Sequence, residues 1–270
     1  MKSAGVIGHP INHSKSPLIH SHWLKESGIK GEYKAYDIAS ENLRDEVLKL
    51  RDAGLSGINV TLPHKQAIMN VCTTLNDEAQ KIGAVNTVVF YPSGEIEGRN
   101  TDAYGFITNA KEAYPEFDFK RNSALVLGAG GAARSILYAL KREGVADIRI
   151  TNRTIENAEE LAEEFGATVF DWNEKEAALK SSGLVVNTTS LGMTGKPALE
   201  LDLADLSSDA LVYDIVYAPL MTDLLVGAKK KGSKIVTGIG MLLHQARPAF
   251  QAFFGTLPDV TDELREKVLR

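Results

Sequence analysis

Residues 128–133 read Gly128-Ala129-Gly130-Gly131-Ala132-Ala133, directly after an apolar run at 124–127 and before a stretch with Ala133, Ile136, Leu137 and Leu140 at helical spacing. Gly128-x-Gly130-x-x-Ala133 is the pattern a strand-to-helix turn uses to hold a pyrophosphate. Gly128 permits the tight turn and Gly130 lets the backbone approach the phosphates. The small Ala133 lets the helix lie close to the strand, and the helix N-terminus faces the charge. A tight turn without a ligand would read the same way in isolation, but strand, helix and second strand in register around it favour a dinucleotide. The second strand ends at Asn152-Arg153-Thr154. An acid about 20 residues past the turn accepts from the ribose 2′-hydroxyl of NAD, whereas an arginine with a hydroxyl suits a 2′-phosphate, so NADP is favoured. The alternative is that Arg153 is a solvated surface residue.

A second group of residues could move a proton. Pro63 suits a first helical turn, and Lys65, Ile68, Met69 and Cys72 follow at i, i+3, i+4 and i+7, which predicts a helix over 63–72 with a lysine on its apolar face. An amine turned inward there suits general acid/base work. A lysine that snorkels to solvent from the helix end is the plainer reading. Asp102, in Arg99-Asn100-Thr101-Asp102, precedes a helical run at 103–113. It can cap that helix, or face a cleft and hold an ammonium. His9, His13, His20 and His22 crowd the N-terminus, but no acidic or i, i+4 partner completes a ligand set, and no metal is expected.

The elements that must position these groups alternate between strand and helix. In the first hundred residues, apolar runs at 4–7, 33–38, 57–60 and 87–90 alternate with helical stretches at 17–27, 41–53 and 63–72. Leu43, Val47 and Leu50 keep helical spacing, and Gly54 stands where a C-terminal cap belongs. This predicts an α/β domain with a mostly parallel sheet covered on both faces. Further strand signals at 124–127, 147–151, 168–170, 184–187, 211–216 and 234–237, with helices closed by Gly144 and Gly166, predict a doubly wound Rossmann sheet. Residues 239–254 read as one helix that follows the completed sheet and is free to return to the first domain.

The chain of 270 residues corresponds to about two domains at roughly 150 residues each. At 44% hydrophobic and 24% charged residues it is too apolar for a disordered chain and has no fibrous bias. A net charge of −5 gives no electrostatic footprint for nucleic acid or an anionic membrane, so a phosphate-bearing ligand needs a local basic site. The single cysteine, Cys72, can form neither an internal disulfide nor a zinc site. With no signal-like N-terminal core and no apolar run approaching ~18 residues, the expectation is a soluble cytoplasmic protein.

Taken in order, several stretches resemble the shikimate dehydrogenase family over nearly the whole chain. They are Gly8-His9-Pro10, His13-Ser14-Lys15-Ser16-Pro17, Asn59-Val60-Thr61-Leu62-Pro63-His64-Lys65, Gly83-Ala84-Val85-Asn86-Thr87 and Asn100-Thr101-Asp102. The glycine turn, Asn152-Arg153-Thr154, Asn187-Thr188-Thr189-Ser190-Leu191-Gly192-Met193 and Gly238-Ile239-Gly240-Met241-Leu242 with Gln245 complete the set. Each piece is weak alone, and their ordered co-occurrence carries the resemblance. It implies reversible hydride transfer between NADPH and the ring carbonyl of 3-dehydroshikimate, in aromatic amino-acid biosynthesis. Lys65 would exchange a proton with the reacting oxygen, and Asp102 would orient the lysine and a ring hydroxyl.

The resemblance further implies that Ser14, Ser16 and Tyr217 hold the substrate carboxylate, and that Asn59, Thr61, Asn86 and Gln245 bond the ring hydroxyls. Convergent neutral donors and acceptors suit a polyhydroxylated anion. For the cofactor it implies Gly128, Ala129, Gly130, Gly131 and Ala132 at the pyrophosphate and Asn152, Arg153, Thr154, Ile155, Glu156 and Asn157 at the adenosine end. Ile215, Gly238 and Met241 would lie near the nicotinamide, with Asp77 also close to the cofactor. A second basic residue that members often carry in the adenosine stretch is Asn157 here, a departure that weakens the NADP preference. The implied domains are 1–102 with 238–270 for substrate and 103–237 for NADP, with the ligands meeting in a cleft. The implied partners are a small-molecule substrate, without nucleic acid or membrane, in a monomer or homodimer. Two other functions compete: an NAD-preferring quinate/shikimate dehydrogenase, encouraged by Asn157, and a non-catalytic sensor of a shikimate-like ligand or dinucleotide. The Lys65 and Asp102 pair and the absence of an appended DNA-binding segment argue against the sensor.

Overall fold

The computed structural model describes all residues from Met1 to Arg270. They divide into one unit of Met1–Gly105 with Leu243–Arg270 and another of Phe106–Leu242. Both boundaries fall inside helices, Asp102–Ala113 and Gly238–Phe254.

The first unit contains β1 (Lys2–Gly8), β2 (Gly31–Asp37), β3 (Gly57–Val60), β4 (Thr74–Leu75), β5 (Thr87–Phe90) and β6 (Ile96–Arg99), in the sheet order β2-β1-β3-β5-β6-β4. β1 runs parallel to β2 and β3, and β4 parallel to β6, but β5 is antiparallel to both its neighbours. The sheet is therefore mixed. β5 and β6 are joined by a hairpin in which Tyr91 and Glu95 pair through the backbone, and so short a connection forces the strands antiparallel. Ile7, Ile58, Val60 and Val88 form the floor of this unit's core. On β3, a Cβ at Gly57 would lie 2.4 Å from the Phe253 ring, so glycine there lets the final segment of the chain press onto the strand. That segment brings Gln245 into the unit.

The helix predicted over 63–72 does not form. Hydrogen-bonded turns occupy 62–66 and a single 3-10 turn follows at Ala67–Asn70. In an α-helix the Lys65 carbonyl would accept from Met69; instead it accepts from the Val85 N–H at 2.7 Å, and Met69 N–H turns to the Gln66 carbonyl at 3.1 Å. A tertiary bond has displaced a local one.

The second unit contains β7 (Ala124–Leu127), β8 (Ile148–Thr151), β9 (Thr168–Phe170), β10 (Leu184–Asn187), β11 (Leu211–Asp214) and β12 (Lys234–Val236). All neighbours are parallel, in the order β12-β11-β10-β7-β8-β9, so the winding reverses between β7 and β10. This is the doubly wound arrangement, in which ligands bind beyond the carboxyl ends of the strands where the order reverses. β7, β10 and β11 are buried along their whole length, as strands covered on both faces must be. No helix in the protein is long and apolar enough to cross a membrane.

Candidate active site

In the first unit, the chain leaves the carboxyl end of β3 through Thr61 and turns at Pro63 to present Lys65. Although the expected helix is absent, the lysine does point inward. Its side chain is 14% exposed, and Nζ donates to Asp102 Oδ2 at 2.6 Å. Asp102 opens the helix Asp102–Ala113 and is itself buried. Its carboxylate does not cap that helix: Oδ1 accepts from Asn86 Nδ2 at 2.8 Å, and the Asp102 N–H donates to Asn100 Oδ1 at 2.9 Å. Both carboxylate oxygens are thus held by side chains of the site.

Asn86 is the hub. Its Oδ1 accepts from the Thr101 backbone N–H at 2.9 Å, which fixes the sense of the amide because an N–H can only donate. Nδ2 then faces Asp102, Thr101 Oγ1 at 2.9 Å and Gln245 Oε1 at 3.3 Å. Asn59, buried on β3, accepts from Tyr33 Oη at 2.7 Å and donates to Thr87 Oγ1 at 3.1 Å. Ser16 opens the helix Ser16–Glu26, and its N–H donates to Ser14 Oγ at 3.3 Å. The Thr61 N–H donates to the Ile7 carbonyl at 3.0 Å, which ties the turn after β3 to β1.

The bonds therefore link Lys65, Asp102, Asn86, Gln245 and Asn59 directly or through threonines. Asp77 makes no bond to them and lies exposed in the first turn of the helix Asp77–Ile82. Three members of the network escaped the sequence: Thr87, Thr101 and Tyr33. The two threonines adjoin residues of recognisable motifs, so a signal existed for them. Tyr33 offered none, since its sequence position reads as core.

In the second unit the turn after β7 has Gly128 at φ +107, where side chains are strained, and a Cβ there would lie 2.6 Å from Thr188 Oγ1. The loop after β10 thus packs on the turn, which gives Thr188 and Thr189 a part that the motif alone did not assign. Gly130 differs: it is exposed, and nothing lies within 4 Å of the place its Cβ would take. The helix Gly131–Arg142 follows with no side-chain cap and no acid in its first turn, leaving its N–H groups unopposed. Ala129, Gly131 and Ala132 are half-buried, while Ala133 is buried against the strand. An open cradle of backbone N–H groups fits a pyrophosphate.

Arg153, just beyond β8, is exposed and has no ion-pair partner, and Asn152 Nδ2 donates to the Thr154 carbonyl at 2.8 Å. Ile155 begins the next helix half-buried, with Glu156 and Asn157 exposed beside it. At the end of β11, burial pushes the Asp214 carboxyl up to about 6 despite donors from Thr222, the Val216 N–H and Asn187. This braces the loops after β10 and β11. A Cβ on Gly238 would lie 2.2 Å from the Ile215 carbonyl oxygen, so the helix Gly238–Phe254 starts against that backbone. Met241 is buried one turn on, and Tyr217 is half-buried with its phenol raised by burial.

A doubly wound sheet with an open glycine turn, accompanied by a unit in which a half-buried lysine pairs with a buried carboxylate among neutral hydrogen-bonding groups, defines a dinucleotide-dependent oxidoreductase. Comparison with known proteins makes this specific. Residues 6–88 match the model of the shikimate dehydrogenase substrate binding domain, and residues 109–195 match that of shikimate / quinate 5-dehydrogenase. The shikimate dehydrogenase (NADP(+)) of Paramagnetospirillum magneticum is 49% identical over 268 residues, covering 98% of this chain and 97% of that protein. Among solved structures, shikimate 5-dehydrogenase from Thermus thermophilus in complex with NADP(H) and shikimate has a TM-score of 0.89 at 37% identity, covering 99% and 98% of the two chains. Quinate dehydrogenase from Corynebacterium glutamicum in complex with NAD has a TM-score of 0.91 at 30% identity, with the same coverage. The chain belongs to the shikimate dehydrogenase family.

Proposed function

We propose that this chain catalyses the reversible NADP-dependent reduction of 3-dehydroshikimate to shikimate, within aromatic amino-acid biosynthesis, and that Lys65 and Asp102 are its catalytic pair. The observation that carries this reading is the 2.6 Å contact between Lys65 and Asp102, in a chain 49% identical over its length to a shikimate dehydrogenase (NADP(+)). NADPH supplies the hydride. Lys65 gives a proton to the carbonyl oxygen in reduction and takes it back from the hydroxyl in oxidation. Asp102 holds Nζ in place through their 2.6 Å contact.

In the same reading, Ser14, Ser16 and Tyr217 hold the substrate carboxylate while Asn59, Thr61, Asn86 and Gln245 engage ring hydroxyls. Gly128, Ala129, Gly130, Gly131 and Ala132 cradle the pyrophosphate. Asn152, Arg153, Thr154, Ile155, Glu156 and Asn157 receive the adenosine end, and Ile215, Gly238 and Met241 the nicotinamide, with Asp77 also beside the cofactor. Residues 1–102 and 238–270 then serve the substrate and 103–237 the cofactor, in a cytoplasmic monomer or homodimer. The unpaired, exposed Arg153 and the lack of an acid at the end of β8 support NADP over NAD.

Asn157, where a second cation would strengthen the grip on a 2′-phosphate, favours the NAD- and quinate-using reading. Absorbance at the reduced-nicotinamide band, followed with shikimate or quinate and NADP or NAD, separates the two. Shikimate with NADP is expected to give the highest kcat/KM. A higher value for NAD or for quinate would replace the proposal, and binding of both ligands without reduction would make the chain a sensor.

A further inference from the structure

Tyr33 lies on β2, 5% exposed, and carries no role in the chemistry described so far. Its ring is stacked on His20 with centroids 4.0 Å apart and planes 7° from parallel. His20 is fully buried, neither ring nitrogen has a partner, and burial pushes its pKa down to about 3, so it serves as a neutral aromatic slab. Trp23 and Phe250 enclose it further, each with its ring centroid under 6 Å away at 5.8 Å and 5.8 Å. The phenol is thereby held in one place by its stack on His20. Its hydroxyl is left to do something specific.

The hydrogen bonds around that hydroxyl have a determined sense. The Thr101 N–H must donate, so Asn86 Oδ1 accepts, and Thr87 Oγ1 donates to the same oxygen at 3.0 Å. Thr87 Oγ1 in turn accepts from Asn59 Nδ2 at 3.1 Å, which turns Asn59 Oδ1 toward Tyr33. The Tyr33 hydroxyl donates there at 2.7 Å. Burial holds the phenol pKa well above its usual value, so this donor keeps its proton. A one-directional relay therefore runs from Tyr33 through Asn59, Thr87 and Asn86 to Asp102.

A carboxamide offers two N–H donors and two acceptor sites. Asn59 uses its donors on Thr87 Oγ1 and on the Asn86 carbonyl at 3.3 Å, and one acceptor site on Tyr33. One acceptor site remains. We infer that Tyr33 is a positioning residue that fixes the Asn59 amide so that it meets substrate as a hydrogen-bond acceptor, selecting a ring hydroxyl that donates. This rests on the reading that Asn59 contacts the substrate.

Tyr33→Phe keeps the ring on His20 and removes only the hydroxyl, so Asn59 Oδ1 loses the donor that aims it while Thr87 and the Asn86 carbonyl still set the sense of the amide. The loss of one oriented hydrogen bond is expected to raise KM for shikimate roughly 3- to 10-fold, with KM for NADP unchanged and kcat within about twofold. Asn59→Ala and the double variant complete the test. If Tyr33 acts through Asn59, Asn59→Ala and Tyr33→Phe/Asn59→Ala share one shikimate KM, because nothing is left to position. An unchanged KM in Tyr33→Phe, or effects that multiply in the double variant, overturns the role. If Asn59→Ala itself leaves KM for shikimate unchanged, the substrate-site reading fails and the role of Tyr33 falls with it. If only Tyr33→Phe is silent, the site reading stands and the positioning role alone is lost. Should Tyr33→Phe fail to fold, Thr87→Val breaks the next link and is held to the same rise in shikimate KM, its absence contradicting the relay.

Discussion

In the unit of Met1–Gly105 and Leu243–Arg270, the groups offered to a ligand are side chains drawn from far apart in sequence, with Gln245 bonded to Asn86 across most of the chain. In the unit of Phe106–Leu242 the offered groups at the turn are backbone N–H atoms within six consecutive residues, and what matters there is that side chains are missing. The first kind of site depends on the sense of every hydrogen bond, since Asp102, Asn86 and Asn59 each have a partner for nearly every polar atom. The second depends on empty space at Gly130 and a left-handed turn at Gly128. A site of side chains is damaged by taking an atom away. A site of backbone is damaged by adding one.

Lys65→Ala takes away the proton-transfer group and is expected to lower kcat by roughly 10²–10⁴-fold while the protein stays folded, as thermal unfolding and turnover on one preparation will tell. Unchanged turnover would remove Lys65 from the chemistry. The two units should also answer pH with opposite signs. His20 in the first has its pKa depressed from 6.5 to about 3, so its contribution is present above about 6.5 and is lost as pH falls toward 3. Asp214 in the second has its pKa raised from 3.8 to about 6, so its contribution is present below 3.8 and is lost as pH rises through about 6. Lowering pH from 6.5 to 4 is expected to remove about 3 kcal/mol through His20 in the first unit and to add about 2 kcal/mol through Asp214 in the second. Amide hydrogen exchange, corrected for intrinsic rates and read unit by unit, checks this, and a shift of the same sign in both would refute it.

Gly130→Ala adds one methyl where the protein has nothing within 4 Å, at a backbone φ of −96 that alanine accepts. Stability should not change, while KM for NADP rises about tenfold and KM for shikimate holds, because the methyl stands where phosphate must approach. Equal KM values for NADP before and after would mean that the space belongs to no ligand.

The same contrast governs what could be read from sequence. Every strand of the second sheet lies within two residues of a strand signal; β7, β10 and β11 are buried throughout and show the clearest runs, because parallel strands covered on both faces carry largely hydrophobic sequence, and the glycine turn is contiguous. The first sheet is less legible. β4 has only two residues and β6 reads Ile96-Glu97-Gly98-Arg99, too short and polar to signal a strand, and the helix Asp77–Ile82 was equally quiet. Periodicity puts Lys65 on the apolar face of a helix and leaves a solvent-directed lysine as the plainer reading; in the structure it faces inward without that helix, because Val85 holds its carbonyl and Asp102 its ammonium. Periodicity could suggest the direction without the cause. Tyr33 could not be found at all, since its partners lie on another strand and in another helix.

The division of labour between the two kinds of site is tested most directly by titrating Lys65→Ala with NADPH, following nicotinamide fluorescence, alongside its turnover of shikimate. If chemistry resides in side chains of the first unit and cofactor binding in the backbone of the second, the Kd for NADPH will match that of the unsubstituted protein while turnover falls by roughly 10²-fold or more. A Kd for NADPH that weakens in step with turnover would show that Lys65 serves the cofactor and not the proton.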